Sequence, residues 1–206
     1  MEYPVLKTPI FFSVRYEELT PKLLNQYFEY MMTNLETRIW VLIKQTTLSP
    51  VVEHKEIFSH QVMDEVFDWA IENLEIRKLS EYTKEELLDC NLENAAPYEL
   101  SRRKFLASLL KIKNENHSAI NMIDIHDYKL LMDLGLYFGE CLRQRIDGAE
   151  WGVFKKKKYD ITNHLVIFFS NGAAFCPFSE VELLLGDYES EFVTLKDRMI
   201  ELKEMD

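Results

Sequence analysis

The stretch DYKLLMDLGLYFGECLR, residues 127–143, decides the fold of this chain, because its apolar residues recur every three or four positions. Six residues share that spacing and therefore one face of a helix: Leu131, Gly135, Phe138, Gly139, Leu142 and Ile146. Glycine inside a helix costs about 1 kcal/mol relative to alanine. Two glycines on one face, four residues apart, therefore predict that another backbone passes close by. We expect a central helix over residues 126–146.

Upstream of the central helix, the apolar pattern predicts three more helices. Thr20 and Pro21 are a typical N-cap and first helical residue, and they open a helix that ends near residue 45. Further helices are expected over residues 60–77 and 97–114, where apolar residues again recur at helical spacing.

The segments between and before these helices carry weaker signals. Residues 3–16 are rich in aromatic and aliphatic residues, and we expect an extended arm or short strand that packs on the body. Residues 78–96 are expected to form a loop with one short helical turn, because Thr83 and Glu86 match a capping box.

Three short apolar segments after the central helix predict an antiparallel sheet. They cover residues 151–154, 165–169 and 173–175, and the Ser-Asn-Gly sequence at 170–172 is a tight hairpin signal. A short helix and a final helix over residues 189–204 follow. The predicted fold class is α+β, mostly helical with a small three-stranded antiparallel sheet in the C-terminal third.

These elements predict one domain over residues 1–206. It would comprise an N-terminal arm (1–16), a helical part (20–147) and a small sheet with C-terminal helices (150–206). The length and the 47% hydrophobic content allow one sizeable core.

The chain is acidic, with a formal net charge of -11. Residues 53–99 hold about thirteen acidic against four basic residues, so the negative charge concentrates there. Such a surface repels nucleic acid and anionic membranes, and it suits a basic protein partner. Solubility alone is the competing explanation.

Four carboxylates follow the second predicted helix at positions i, i+4, i+8 and i+11: Asp64, Asp68, Glu72 and Glu75. Like charges four residues apart destabilise a helix by a few tenths of a kcal/mol each. We predict that these four residues form a docking stripe for a basic partner. A solvated helix face is the alternative.

The three cysteines, Cys90, Cys141 and Cys176, form no CxxC pair, and their number is odd. A disulfide scaffold or a structural zinc site is therefore not expected, and a reducing cytoplasm fits this pattern. The N-terminus shows no signal-peptide pattern, and no apolar run is long enough to span a membrane.

Histidine and cysteine spacing predicts neither a metal site nor a cofactor site. His60 and Asp64 could share a metal ion, but two ligands do not make a site. His117 and His126 flank the loop before the central helix, where an acid–base pair is conceivable and helix capping is favoured. The sequence places no catalytic residue. The other two histidines, His54 and His164, belong to no motif.

The remaining candidates for chemistry are single features. Cys141 is expected to be a buried structural thiol, whereas Cys176, beside a proline, is the more exposed candidate nucleophile. The lysines at 155–158 form the one basic run. Lysines at a sheet edge discourage edge-to-edge pairing, which accounts for them better than nucleic-acid binding.

Three motifs carry a resemblance to other proteins. The motifs are Tyr-Phe-Glu-Tyr-Met at 27–31, Asp-Leu-Gly-Leu-Tyr-Phe-Gly-Glu at 133–140 and Glu-Trp-Gly-Val-Phe at 150–154. They resemble a family of uncharacterised acidic proteins from Bacillus-like bacteria. The resemblance spans most of the chain. Small acidic bacterial proteins of this type are often immunity proteins that neutralise a partner toxin. The resemblance therefore implies protein binding and carries over no site residue.

Three hypotheses follow for function. The first is a cytoplasmic protein-binding module of the immunity-protein type, which occludes a basic partner with its acidic surface. The second is an enzyme of unknown reaction with a cleft between the central helix and the small sheet, using His117, His126 or Cys176. The third is a structural or homo-oligomeric protein whose arm, residues 3–16, docks on a neighbouring copy.

Overall fold

The computed structural model describes residues 8–46, 56–89, 95–110, 120–156, 159, 161–186 and 195–205. Seven α-helices lie in these residues: α1 (Pro21–Gln45), α2 (His60–Asn73), α3 (Lys84–Leu88), α4 (Pro97–Leu109), α5 (Tyr128–Arg145), α6 (Pro177–Gly186) and α7 (Leu195–Met205). Five strands accompany them: β1 (Ile76–Lys78), β2 (Asn121–Ile123), β3 (Glu150–Val153), β4 (Leu165–Phe168) and β5 (Ala174–Phe175). The fold class is α+β as predicted, mostly helical with a small antiparallel sheet late in the chain.

Helix α5 forms the centre of the structure. Every residue from 130 to 142 is buried, because α1, α6, α7, β3 and β4 all contact this helix. The predicted apolar face is therefore buried, and so is the opposite face. A charged residue on α5, Asp133, is tolerated in this environment because Arg38 of α1 pairs with it.

The two glycines of α5 admit aromatic rings. A Cβ at Gly135 would collide with the ring of Phe178 and lie 3.1 Å from its Cα. A Cβ at Gly139 would collide with the ring of Trp151 and lie 3.0 Å from Pro177. The predicted close approach is confirmed, but side chains of α6 and β3 fill most of the space rather than bare backbone.

The three-stranded sheet has the order β3-β4-β5, and both pairs are antiparallel. Gly152 pairs with Val166, and Ile167 pairs with Phe175. The predicted hairpin turn is present, with Gly172 at a φ of 82°, which glycine adopts without steric cost. Strand β4 is the buried middle strand and packs on α5.

The second predicted helix ends earlier than expected. Helix α2 stops at Asn73 instead of residue 77, because residues 76–78 pair with β2 in an antiparallel two-stranded sheet. Ile76 lies opposite Ile123 in that sheet. The sequence did not predict it, since each strand has only three residues and its partner is far away along the chain.

The other helix boundaries differ less. The capping box at Thr83 and Glu86 opens α3 as expected, with a 2.7 Å bond from the Thr83 N–H to Glu86 Oε2. Helix α4 ends at Leu109, and the predicted continuation at 111–114 lies outside the described residues. Helix α7 begins at Leu195, and the predicted start at 189 lies outside them too.

The N-terminal arm packs on the body as expected, but as two 3₁₀ turns, Ile10–Phe12 and Tyr16–Glu18. Phe12 and Tyr16 are buried, and the Phe12 ring lies 5.4 Å from that of Tyr27. Residues 1–7 lie outside the described part of the chain. None of the described helices has the length and apolar composition needed to cross a membrane.

Candidate functional site

Helix α2 presents one apolar and one charged face. Its N-cap Ser59 accepts a hydrogen bond from the Val62 N–H at 3.3 Å, which fixes where the helix begins. The inward residues are buried in the hydrophobic core: Val62, Met63, Val66, Phe67 and Ala70. Burial of that side leaves the opposite side, with its carboxylates, at the surface.

Asp68 and Glu72 are the exposed centre of the predicted stripe. They lie one helical turn apart, where side chains on a helix become neighbours. Neither carboxylate has an ion-pair or hydrogen-bond partner among the described residues. Two like charges at this spacing oppose helix stability only slightly, so their exposure is compatible both with the predicted docking stripe and with a solvated helix face.

Asp64 is engaged within the protein. Its Oδ2 accepts a hydrogen bond from Lys196 Nζ of α7 at 2.9 Å. That hydrogen bond raises the pKa of Lys196 above its ordinary value. Asp64 therefore ties α7 to α2, and its charge is partly compensated before any partner arrives.

Glu75 lies beyond the end of α2, so it does not extend the helical stripe as predicted. Its N–H donates to Asp127 Oδ2 at 2.9 Å, and its carbonyl accepts from the Asp124 N–H at 2.7 Å. These backbone bonds belong to the junction of β1, β2 and α5, while the Glu75 side chain stays exposed. We define the acidic surface as Asp68, Glu72 and Glu75.

A sizeable cavity lined by described residues lies elsewhere, and we call it the α4–α6 cavity. It measures about 460 Å³ and lies between α4, α6, the N-terminal turn at Tyr16, Tyr159 and residues 161–164. No residue of α5 lines it, so it is not the cleft expected between the central helix and the sheet. Phe178 and Trp151 fill that expected position, against the glycines of α5.

A buried carboxylate, Glu182, forms one wall of this cavity. It accepts hydrogen bonds from Tyr98 OH at 2.7 Å, Tyr128 OH at 3.2 Å and Arg102 Nε at 2.8 Å. Burial raises the pKa of both tyrosines, and the charge of Glu182 raises it further. Burial opposes the charge on Arg102, but Glu182 outweighs that effect and keeps the pKa of Arg102 above its ordinary value.

Cys176 and His164 meet beside the cavity. The Cys176 Sγ lies 3.7 Å from His164 Nδ1, and Ser179 Oγ donates to the sulfur at 3.4 Å. Cys176 is more exposed than Cys141, as expected, but at 7% against 0% it too is buried. Burial raises the pKa of its thiol despite the hydrogen bonds from Ser179, so the thiol is protonated near neutral pH.

The histidine loop before α5 serves as structure. His126 donates its backbone N–H to Asp124 Oδ1 at 2.8 Å, and its side chain is exposed. Asp124 also accepts from Tyr82 OH at 2.7 Å and Arg77 Nη1 at 3.1 Å. This arrangement joins β1, β2 and the start of α5. The expected helix capping is absent, because the N-cap residue Asp127 accepts from the Glu75 N–H and not from the first turn of α5. His117 lies outside the described residues.

The other candidate residues named from the sequence also gain no support as functional sites. The described residues contain no group of three or more His, Cys, Asp or Glu side chains that could hold a metal ion. Cys141 is buried as predicted, and burial raises the pKa of its thiol. Lys155 donates to Asn25 Oδ1 at 3.2 Å. His54, Cys90 and residues 157–158 lie outside the described part of the chain.

Comparison of the chain with models of protein families, with curated proteins and with solved structures finds no match. Two places are candidates for function: the exposed carboxylates of the acidic surface and the α4–α6 cavity.

Proposed function

We propose that this chain is a cytoplasmic protein-binding module that neutralises a basic partner through its acidic surface, in the manner of an immunity protein. One observation carries the proposal: Asp68 and Glu72 are exposed, one turn apart and unpaired among the described residues. A cationic partner bound at this position would attract both carboxylates and offset the repulsion between them.

The charge around the acidic surface supports the same partner chemistry. Residues 56–89 hold ten Asp and Glu residues against three Lys and Arg residues. Arg77, one of the three, is already paired with Asp124 and Glu81. The summed negative potential would speed encounter with a basic protein and would repel nucleic acid and anionic membranes.

The acidic surface is also held in place before binding. The inward face of α2 is part of the hydrophobic core, and the Asp64–Lys196 pair links the helix to α7. The hydrogen bonds around Glu75 fix the chain just after the helix. A surface that is already ordered loses less conformational entropy on binding, which favours affinity.

A charge-reversal experiment tests this proposal. Asp68→Lys/Glu72→Lys reverses the two unpaired charges without touching the core. A matched control, Glu29→Lys/Glu150→Lys, makes the same change in net charge at exposed positions on α1 and β3. Both variants are expected to keep the circular-dichroism spectrum and melting temperature of the wild type.

The measurement is affinity capture from a lysate of the source cells at low and high salt, followed by association kinetics with any purified partner. We expect wild type and control to retain a basic protein at low salt and to release it at high salt. The Asp68→Lys/Glu72→Lys variant should associate at least about tenfold more slowly. Equal association rates for all three proteins would contradict the proposal.

A homo-oligomeric protein remains a second candidate, because of the arm. Ile10 and Phe11 are 67% and 57% exposed, and they are adjacent apolar residues on an otherwise docked segment. Burial of such a pair against a second copy would remove apolar surface from water. Light scattering over a wide concentration range tests this: a mass that stays at 24.5 kDa contradicts it.

The enzyme hypothesis has weaker support. Cys176 and His164 are close, but a buried, protonated thiol is a poor nucleophile. The contacts of Cys176 with Ser179 and His164 are those of a residue that holds the start of α6 in place. We therefore propose binding rather than catalysis.

A further inference from the structure

The α4–α6 cavity has the dimensions of a small-molecule site. A volume of about 460 Å³ falls in the range of pockets that enclose a drug-sized ligand. Four aromatic side chains line it: Tyr16, Tyr98, Phe105 and Tyr159. Flat walls of this kind suit a planar ring, because aromatic pairs gain from offset or edge-on stacking.

Exposed apolar side chains are concentrated at the mouth of this cavity. Tyr159, Leu183 and Phe105 are 60%, 55% and 49% exposed. They are three of the eight large hydrophobic side chains that are exposed among the described residues, and all three line one cavity. A ligand seated there would cover this apolar surface, which folding leaves in water.

The polar recognition group in the cavity is Arg102. Only its Nε is engaged, by Glu182, and its guanidinium lies 5.1 Å from the Phe105 ring centroid. The two Nη groups have no hydrogen-bond partner among the described residues. The Glu182 contact fixes the plane of the guanidinium, so the remaining N–H groups are oriented in advance.

The acidic groups of the cavity are already engaged. Glu182 accepts three hydrogen bonds. Glu17 lies near Arg15 at 3.5 Å and Lys104 at 3.3 Å, and it accepts from Ser101 Oγ at 3.1 Å. The polar groups of the cavity that still lack a hydrogen-bond partner are therefore mainly donors. Arginine N–H groups recognise a planar pair of acceptor oxygens best.

From these observations we propose that the α4–α6 cavity binds a small aromatic carboxylate. The ring lies against Phe105 and Tyr159, the exposed rings of the cavity, and the carboxylate accepts from the Nη groups of Arg102. The cavity shares no residue with the acidic surface, so this ligand site is independent of the proposed protein partner. Failure of one proposal leaves the other standing.

Matched probe pairs test the ligand class on the wild-type protein. Benzoate, 2-naphthoate and indole-3-acetate each have a neutral counterpart of similar shape: benzyl alcohol, 2-naphthalenemethanol and tryptophol. Tryptamine supplies the opposite charge on the same ring as indole-3-acetate. Binding is measured by isothermal titration calorimetry and by ligand-observed NMR at neutral pH.

We expect at least one carboxylate to bind about tenfold more tightly than its alcohol, because only the carboxylate can accept two charge-assisted hydrogen bonds from the Arg102 guanidinium. Arg102→Gln should remove that preference. The proposal is overturned if no carboxylate binds below ~10 mM, or if alcohols bind as tightly as carboxylates. A preference for tryptamine over indole-3-acetate also overturns it and assigns the cavity to a cation.

A second variant guards against a folding defect in Arg102→Gln. Leu183→Trp places a large ring at the cavity mouth from an exposed position, and it leaves Arg102 intact. Its control is Leu88→Trp, at an exposed position on α3 outside the cavity. Leu183→Trp should weaken binding of the carboxylate about tenfold or more at an unchanged melting temperature, whereas Leu88→Trp should bind like wild type. Equal binding by the two tryptophan variants would place the ligand elsewhere.

Discussion

Arg38 of α1 and Asp133 of α5 form an ion pair inside the core, although 95 positions separate them in the sequence. Their side chains are only 5% and 4% exposed. Arg38 Nε donates to Asp133 Oδ1 at 2.8 Å, and Arg38 Nη2 donates to Asp133 Oδ2. The two parallel hydrogen bonds fix the orientation of α1 on the central helix.

The first prediction concerns that ion pair. Arg38→Met leaves the Asp133 carboxylate buried without its cation, and we expect it to lower the free energy of unfolding by about 3–5 kcal/mol. Arg38→Met/Asp133→Leu removes both charges and should cost much less. Urea unfolding at pH 7 measures both. A double variant as unstable as the single one would show that packing, not the unpaired charge, dominates at this position.

The second prediction concerns Gly139. Alanine would gain about 1 kcal/mol in helix propensity, but its Cβ would collide with the Trp151 ring. We expect a net loss of about 1–3 kcal/mol, since overpacking a filled core displaces side chains. The Trp151 indole also donates to Glu140 Oε2 at 3.2 Å, so a displaced ring should shift the tryptophan fluorescence maximum.

Trp151→Phe supplies the matched test of that mechanism. A smaller ring leaves room for the extra methyl group, so Gly139→Ala should cost less in the Trp151→Phe background than in the wild type. If the destabilisation caused by Gly139→Ala were the same in both backgrounds, the added methyl group would collide with a residue other than Trp151. Thermal unfolding of the four proteins in this cycle measures the coupling.

The third prediction is the pH dependence that Asp124 contributes. Burial alone would raise its pKa, but the His126 N–H, the Tyr82 hydroxyl and Arg77 outweigh burial and lower it. A carboxyl whose pKa is lower in the folded state stabilises the fold above its unfolded pKa of about 4. This contribution is lost as the pH falls through the lowered folded value.

Asp124→Asn should reveal that contribution. At pH 7 we expect the variant to be less stable by about 1–3 kcal/mol, because hydrogen bonds to a charged acceptor are weakened. The difference between variant and wild type should shrink as the pH falls below about 4. Urea unfolding from pH 7 to pH 2.5 provides the comparison. A difference that stays constant over this range would contradict the assignment.

The sequence predicts local structure wherever one short segment carries the whole signal. Thr20 accepts the N-cap hydrogen bond expected of it, at 3.3 Å. Gly172 makes the hairpin turn, and the glycines of α5 mark a close approach. In each case a residue and its near neighbours determine the backbone, so a single sequence is sufficient.

Features that depend on distant pairing escaped prediction. Strand β1 has no alternating pattern, and it forms only because β2 pairs with it. That pairing ends α2 early and removes Glu75 from the helix. The cavity combines Tyr16, Arg102 and Glu182 from three separate segments. No local pattern brings such residues together, because tertiary packing alone decides their distance.

The fourth prediction separates stability from binding at Lys196. Lys196→Ala removes the partner of Asp64 and leaves that carboxylate, on the same helix as Asp68 and Glu72, uncompensated. Because the two side chains are 34% and 33% exposed, water screens their interaction, and we expect little change in the free energy of unfolding.

If the acidic surface binds a basic protein, the same variant should associate faster than wild type, and the gain should vanish at high salt. Lys203→Ala, at an exposed position on α7, removes the same charge without an ion pair to Asp64 among the described residues, and it serves as control. Stopped-flow association at several salt concentrations measures the effect. An equal increase in association rate for the two variants would reflect net charge alone. A larger increase for Lys196→Ala would place the encounter on the face of α2 that Asp64 borders.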